Sequence, residues 1–344
     1  MTDQRSPEPI ETDALIVGAG PVGLFAVFEL GMLKIRAHLV DSLEQIGGQC
    51  TALYPEKPIF DIPAWPRIDG AELIERLEEQ AAPFDPVYHL NQQVTMLERT
   101  GDGRFLLETS QGKRFLAKAV VIAAGGGAFG PNRPPLDGLE EYEGTSVFYM
   151  VRRRDDFRGK RVVIAGGGDS AVDWAMSLPE VAEKVYVVHR RDKFRAAPES
   201  VTRMNAWAAS GKLELVTPYQ LSGLDGADGR LNAVLVKDFD GNERRLEADV
   251  LLPFFGLAAK LGPIADWGFP VEKAVIPVDR ATCQTPMPGI FAIGDVAQYD
   301  GKLKLILQGF ADAAAAAHAV RDIVYPDEPL HFEYSTTKGI PTGG

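Results

Sequence analysis

From Ala14 to Val17 the chain reads Ala-Leu-Ile-Val, apolar at four consecutive positions. A strand with one face in water alternates apolar and polar residues, so an unbroken run predicts a strand covered on both faces, as in a parallel sheet flanked by helices. Leu24–Leu33 follows with the length and apolar content of a buried helix. His38-Leu39-Val40 then predicts a short second strand ending at Asp41. The same order returns later as strand Arg161–Ala165, helix Ala171–Leu178 and strand Val185–Val188. Val120–Ala124, running into Gly125-Gly126, and Ile290–Ile293, running into Gly294-Asp295, add two more strands.

Between the first strand and the first helix stands Gly18-Ala19-Gly20-Pro21-Val22-Gly23. Alone, Gly-x-Gly-x-x-Gly says little. Placed after a strand, opening a helix, and with an acid eighteen residues past Gly23, it is a dinucleotide-binding turn. Gly18 permits the tight turn, Gly20 lets backbone approach a pyrophosphate beside Pro21, and Gly23 lets helix and strand pack closely. The helix N-terminus faces the phosphate charge. Asp41 would accept hydrogen bonds from ribose hydroxyls.

The second turn, Gly166-Gly167-Gly168-Asp169-Ser170-Ala171, begins 148 residues after the first and ends in Ala171, which the fingerprint permits. Gly166, Gly168, Asp169 and the Ser170 hydroxyl are its phosphate-binding candidates. Where the first unit has Asp41, this one has His189-Arg190-Arg191-Asp192-Lys193-Phe194-Arg195. An acid repels a 2′-phosphate, whereas Arg190, Arg191 and Arg195 bind one bidentately. The first site therefore suits a nucleotide with free ribose hydroxyls and the second suits NADP(H), which together suggest a flavoprotein with FAD in the first. Asp295 can reach the ribityl and pyrophosphate region of a flavin only if the chain returns to the first domain. The expected fold is thus α/β, with two Rossmann-like dinucleotide-binding domains and the NADPH domain inserted in a discontinuous FAD domain. The expected boundaries are residues 1–130 and 287–344 for FAD and 131–286 for NADPH, with hinges at Gly126–Pro135 and Thr285–Gly289.

Composition narrows the function classes. The 344 residues are 45% hydrophobic and 24% charged, enough for about two soluble domains. The formal net charge of −12 argues against nucleic acid or an anionic membrane surface as partner. The longest apolar stretches, Ala117–Ala124 and Ala313–Val320, fall far short of the roughly 20 residues that span a bilayer. The opening residues, polar and acidic, lack a secretory pattern, so a cytoplasmic protein is expected. Cys50 and Cys283 form no Cys-x-x-Cys, and the five histidines are scattered, so no metal site is expected. Arg152, Arg153, Arg154, Arg158, Lys160 and Arg161 form a basic run that reads either as a docking patch for an acidic protein or as a solvated loop before the second glycine turn.

The segments Gly47-Gly48-Gln49-Cys50-Thr51-Ala52-Leu53-Tyr54-Pro55-Glu56-Lys57, Gly166–Ala175, His189–Ala196 and Gly294-Asp295 resemble the thioredoxin-reductase-like branch of the ferredoxin–NADP(+) reductases. The likeness runs from about Asp13 to Thr337. Thioredoxin reductases carry a Cys-x-x-Cys just before the second glycine turn, but Val147–Arg154 here contains no cysteine. The resemblance implies that Gln49 reaches the flavin, Tyr54 stacks on one ring face, Val94 contacts the adenine region through its backbone and Phe129 lies along the cofactor. It implies further that the tail of a partner subunit in a homodimer covers the flavin, with Tyr334 over the other ring face and Thr336 at the reactive edge. Tyr334 is then expected to occupy the nicotinamide's place at rest. The activity implied is hydride transfer from NADPH to flavin N5 and one-electron transfer to ferredoxin or flavodoxin, with no side-chain nucleophile or general base. The alternative is a dithiol-less thioredoxin-reductase-like flavoprotein with another acceptor.

Overall fold

The computed structural model describes residues 8–328, by backbone alone at 128–129 and 257–259. The chain divides into two compact units. The first takes residues up to Ala52, Pro58–Ala128 and those from Ala259 onward; the second takes Leu53–Lys57 and Phe129–Ala258.

In the first unit β1 (Ile10–Val17) leads through α1 (Pro21–Met32) to β2 (Ala37–Val40). After α2 (Gly70–Ala81) come β3 (Val87–His89), β4 (Val94–Arg99), β5 (Phe105–Thr109) and β6 (Arg114–Ile122). The sheet order is β3-β2-β1-β6-β5-β4, parallel from β3 to β6 and antiparallel from β6 to β4. The burial of β6 records this change: its first residues alternate, and Ala119–Ile122 are all buried. In the second unit β7 (Arg161–Ala165), α3 (Asp169–Ser177), β8 (Lys184–Val188), α4 (Pro198–Ala209) and β9 (Glu214–Val216) precede an antiparallel meander. That meander is β10 (Gln220–Ala227), β11 (Arg230–Lys237) and β12 (Glu243–Glu247), and β13 (Val250–Pro253) then completes a parallel sheet in the order β9-β8-β7-β13. Farther along the first unit β14 (Ile290–Ala292) pairs parallel with the end of β6, and α5 (Ile306–Val324) follows. The expected architecture is present: two parallel-sheet α/β units, one inserted in the other.

Alternate residues of the buried strands face opposite cores, as a two-residue period requires. In the first unit Ala14, Ile16, Ala119 and Val121 meet α1 and α5, through Val27, Leu30, Ala313 and Ala317. Leu15, Val17, Val120 and Ile122 face the other way, against Leu261, Ile264, Trp267, Phe269 and Ile276. This second face relocates a boundary. The expected NADPH domain ran to residue 286, but Leu261–Ile276 cover the first sheet, and the chain crosses back at Ala258–Ala259. Without that cover, Leu15 and Ile122 would stand in water. Thr285–Gly289 is a loop inside the first unit rather than a hinge between units. Both glycine-turn helices begin earlier than expected, at Pro21 and Asp169, because each starts directly on its turn with Gly20 or Gly168 as cap.

Beside Asp41, whose N–H donates to the His89 carbonyl at 3.0 Å, His38 and His89 stack with ring centroids 5.3 Å apart. Lys113 Nζ, which can only donate, lies 3.0 Å from His89 Nδ1, so His89 Nε2–H donates to His38 Nδ1, also at 3.0 Å. Protonating His89 breaks this chain of donors. Burial first, then Lys113 and His38, push its pKa down to about 4, and that of His38 is lowered by burial, Arg36 and Lys113. The unfolded chain takes up these protons near pH 6.5 and the folded chain does not. Stability is thus fully present above that pH and is lost as the pH falls toward 4, by about 2 kcal/mol for His89. Urea unfolding of the holoprotein between pH 7.5 and 4.5 measures this, and His89→Gln should flatten the slope.

Candidate functional site

The first glycine turn is held by contacts that leave no room for a side chain at Gly18 or Gly23. Gly18 has φ +115°, and a Cβ there would lie 2.4 Å from the Ala123 carbonyl oxygen. A Cβ on Gly23 would lie 2.1 Å from the Gly18 carbonyl oxygen, which is the close helix-to-strand packing the third glycine was expected to allow. At Gly20 a Cβ would meet only the Gly48 Cα, at 3.9 Å, so the turn faces open space where α1 begins. No side chain caps that helix end. Its first-turn N–H groups are suited to an anion.

Asp41, Gln49 and Asp295 gather about this turn. The Asp41 carboxylate accepts from the Ala19 N–H at 2.7 Å and from the Leu43 N–H at 2.8 Å. Burial raises its pKa, and these bonds oppose the rise. The Gly47 N–H donates to the Ala19 carbonyl at 2.8 Å, tying the Gly47-Gly48-Gln49 loop to the turn. Asp295 sits in a one-turn helix, Gly294–Val296. Gly294 packs on Val22 of α1, where an added Cβ would lie 3.3 Å from Val22 Cγ2. Burial raises the Asp295 pKa, against Lys304 and Lys302. Val94 is buried in the core, and its neighbours Asn91 and Gln92 donate from their backbone N–H groups to Leu43 and Asp41 carbonyls.

In the second unit Gly166 has φ +156°, and a Cβ on Gly168 would meet nothing within 4 Å, so α3 also starts in open space. The Ser170 side chain is exposed and makes no hydrogen bond among the described residues. Asp169 Oδ1 accepts the Ala197 N–H at 3.1 Å, and the Arg195 N–H donates to the Gly167 carbonyl at 2.6 Å. The His189 ring covers Gly167, where a Cβ would clash with it at 2.3 Å. The loop from 189 to 197 is thereby pinned to the glycine turn. Arg190, Arg191 and Arg195 are exposed and make no ion pair among the described residues.

Other expected residues fall differently. Tyr54 is grouped with the second unit, where it packs against the cluster holding Trp174 and Phe157. Its neighbours are tied there: Lys57 Nζ is 2.7 Å from Asp173, and Glu56 accepts the Arg154 N–H at 2.7 Å. The Phe129 side chain, Tyr334 and Thr336 lie outside the described residues. Within the basic run, Arg154 pairs with Glu180, Arg158 with Asp155, and Arg161 with Asp249 and Glu247. No group of His, Cys, Asp and Glu among the described residues could hold a metal. The sequence reading missed Tyr299, Lys302 and Asp312, which lie beneath the Gly294–Asp295 turn. Nothing in their spacing signals burial.

Two nucleotide-binding turns on nested α/β units define a class of two-dinucleotide oxidoreductases. The family described as pyridine nucleotide-disulphide oxidoreductase matches residues 12–319. Two curated relatives are each named Ferredoxin–NADP reductase. That of Paramagnetospirillum magneticum is 63% identical over 97% of this chain and 99% of its own. That of Rhodospirillum rubrum is 63% identical over 97% of each. The chain belongs to the ferredoxin–NADP reductase family within that class. Thioredoxin reductases share the fold: the Lactococcus lactis enzyme superposes with a TM-score of 0.79 at 27% identity, over 92% of this chain and 99% of that one. The thioredoxin reductase of T. acidophilum gives 0.79 at 25% identity, over 91% of this chain and 98% of that one.

Proposed function

We propose that the protein moves electrons between NADP(H) and ferredoxin or flavodoxin, with FAD held by the first unit and NADP(H) by the second. The observation that carries this reading is the opposite charge at the two turns: a carboxylate fixed by two N–H groups at the first, and at the second three exposed arginines on a pinned loop that make no ion pair among the described residues. FAD, when bound, accepts hydride from NADPH and gives up electrons singly to a one-electron carrier.

The chain's own residues bind and orient. The N-terminus of α1 with Gly20 and Gly48 would take the pyrophosphate, Asp41 the ribose hydroxyls, and Gln49 and Asp295 the region toward the flavin. The N-terminus of α3, with Gly168 and Ser170, would take the NADP(H) pyrophosphate, and Arg190, Arg191 and Arg195 the 2′-phosphate. A disulfide acceptor has no relay here. Both cysteines are buried in the first unit, and burial pushes the Cys283 thiol up to about 12, which keeps it protonated and inert at neutral pH. Arg154, Arg158 and Arg161 of the basic run are paired, which suits a structured loop, while Arg152 and Arg153 are exposed without an ion pair among the described residues, which suits docking of an acidic partner.

No helix among the described residues is long and apolar enough to cross a membrane. The resemblance to the thioredoxin-reductase-like ferredoxin–NADP(+) reductases is what supports a cytoplasmic homodimer. The same reading assigns Phe129 a place along the flavin, Val94 a backbone contact near the adenine, and Tyr334 and Thr336 of the tail a place over the ring. Tyr334→Ser should raise NADPH affinity and the hydride-transfer rate in stopped flow, and no change in either would remove the tail from the nicotinamide's path. The function itself is tested anaerobically, by adding NADPH and then NADH to the yellow protein and following flavin bleaching and cytochrome c reduction. Fast bleaching by NADPH alone, with cytochrome reduction only when a low-potential ferredoxin is present, is the expected result. Bleaching without ferredoxin dependence would move the activity to another acceptor.

A further inference from the structure

Beneath the Gly294–Asp295 turn lies a buried polar group that the proposed activity does not use. Lys302 and Asp312 form an ion pair with side chains 1% and 2% exposed. Asp312 Oδ1 accepts from the Tyr299 hydroxyl at 2.7 Å. Its Oδ2 accepts from the Gly294 N–H at 3.0 Å and from the Lys302 ammonium. Gln308 Nε2 donates to the Tyr299 oxygen at 2.8 Å, and the Lys302 ammonium lies 5.3 Å from the Tyr299 ring centroid.

A buried ion pair is a poor way to gain stability, because desolvating both charges offsets their attraction and apolar residues of similar volume often serve as well. What an apolar residue cannot do is accept a hydrogen bond. Gly294 has φ +74°, in the left-handed region, and its N–H is buried and needs an acceptor at that point. A carboxylate already fixed by an ammonium and a phenol is a directional one. The neighbouring packing is close for the same reason: a Cβ on Gly309 of α5 would lie 2.4 Å from Val22 and 3.3 Å from the Gly294 Cα. Asp312 thus sets the turn's backbone while Gly309 and Val22 set its distance from the start of α1.

We propose that Asp312, held by Lys302 and Tyr299, is a positioning residue that fixes the Gly294–Asp295 turn for the ribityl and pyrophosphate part of FAD. The proposal rests on the reading that Asp295 faces that nucleotide.

The test is the FAD dissociation constant of the full-length chain, read by flavin fluorescence, with the visible absorption envelope of the bound flavin as a second readout. Two charge-free double variants separate positioning from stability. Lys302→Met with Asp312→Leu removes the pair and the acceptor, and should weaken FAD binding at least tenfold and alter the envelope. Lys302→Met with Asp312→Asn keeps a side-chain carbonyl for the Gly294 N–H and should stay within about threefold of the native constant. Affinity for 2′,5′-ADP, a probe of the second unit, should stay within twofold in both. If the Leu variant does not fold, Tyr299→Phe should still weaken FAD binding three- to tenfold. A FAD constant within twofold of native in the Leu variant, or in Tyr299→Phe where the Leu variant does not fold, would overturn the proposal. Asp295→Asn tells the two readings apart: weakened by that change but not by those at Asp312, the chain keeps Asp295 as a contact and loses the positioning role. Weakened by neither, it loses both.

Discussion

Replacing Arg190 and Arg191 together by alanine should lower kcat/KM for NADPH by about two to three orders of magnitude and leave that for NADH within about twofold. The backbone around them is fixed: the Gly166 N–H donates to Val188, His189 to Val216, Tyr219 to His189 and Arg195 to Gly167. The side chains are exposed and take part in no ion pair among the described residues, so nothing competes for them. A hydrogen bond to a charged group contributes about 1.5–3 kcal/mol, and two arginines on one phosphate reach about 3–5 kcal/mol once non-additivity is allowed for. That sum sets the expected fold-change, since 1.4 kcal/mol is a factor of ten. NADH lacks the 2′-phosphate and loses nothing. Initial rates of bleaching with each coenzyme measure the ratio, and a parallel loss with both would mean that the loop shapes the site without reading the phosphate.

Gly23→Ala is expected to give a chain that purifies without flavin or not at all, with a cost of about 3 kcal/mol or more from overpacking. The new Cβ would stand 2.1 Å from the Gly18 carbonyl oxygen, a backbone atom whose turn is itself pressed on Ala123. Helix α1 cannot retreat, since Val27 and Leu30 are buried against the sheet and Gly309 of α5 lies behind Val22. The corresponding position of the second unit already holds Ala171, so Ala171→Gly should cost only about 1 kcal/mol, the usual helix penalty of glycine. Flavin content per chain and melting temperature decide the matter, and a stable yellow Gly23→Ala protein would show that the first turn can open.

The two turns were legible because their residue types answer local constraints: Gly18 needs a positive φ, and Gly23 needs the absence of a single carbon. Asp41 and Arg190–Arg191 were legible because each follows its strand at a spacing set by one helix. The boundary at residue 286 was misplaced because Thr285–Gly289 carries proline and glycine like a hinge, while Trp267 and Phe269 show their partners only across the sheet. Lys302 and Asp312 were not singled out, since burial of an ion pair depends on a return of the chain that no local pattern records.

The pairing of β14 with the end of β6 bears on how the chain is made. Synthesis runs from the N-terminus, and the inserted unit has all its parallel strands once residue 253 has left the ribosome. The enclosing sheet still lacks Ile290–Ala292 along one edge, α5 over one face and Leu261–Ile276 over the other. For that interval Val120–Ile122 offer an open, apolar strand edge of the kind that draws other chains into contact. A nascent chain stalled with its residues up to about 260 outside the ribosome should therefore be the form that chaperones hold and proteases cut, with cleavage falling in the first unit while the inserted one resists.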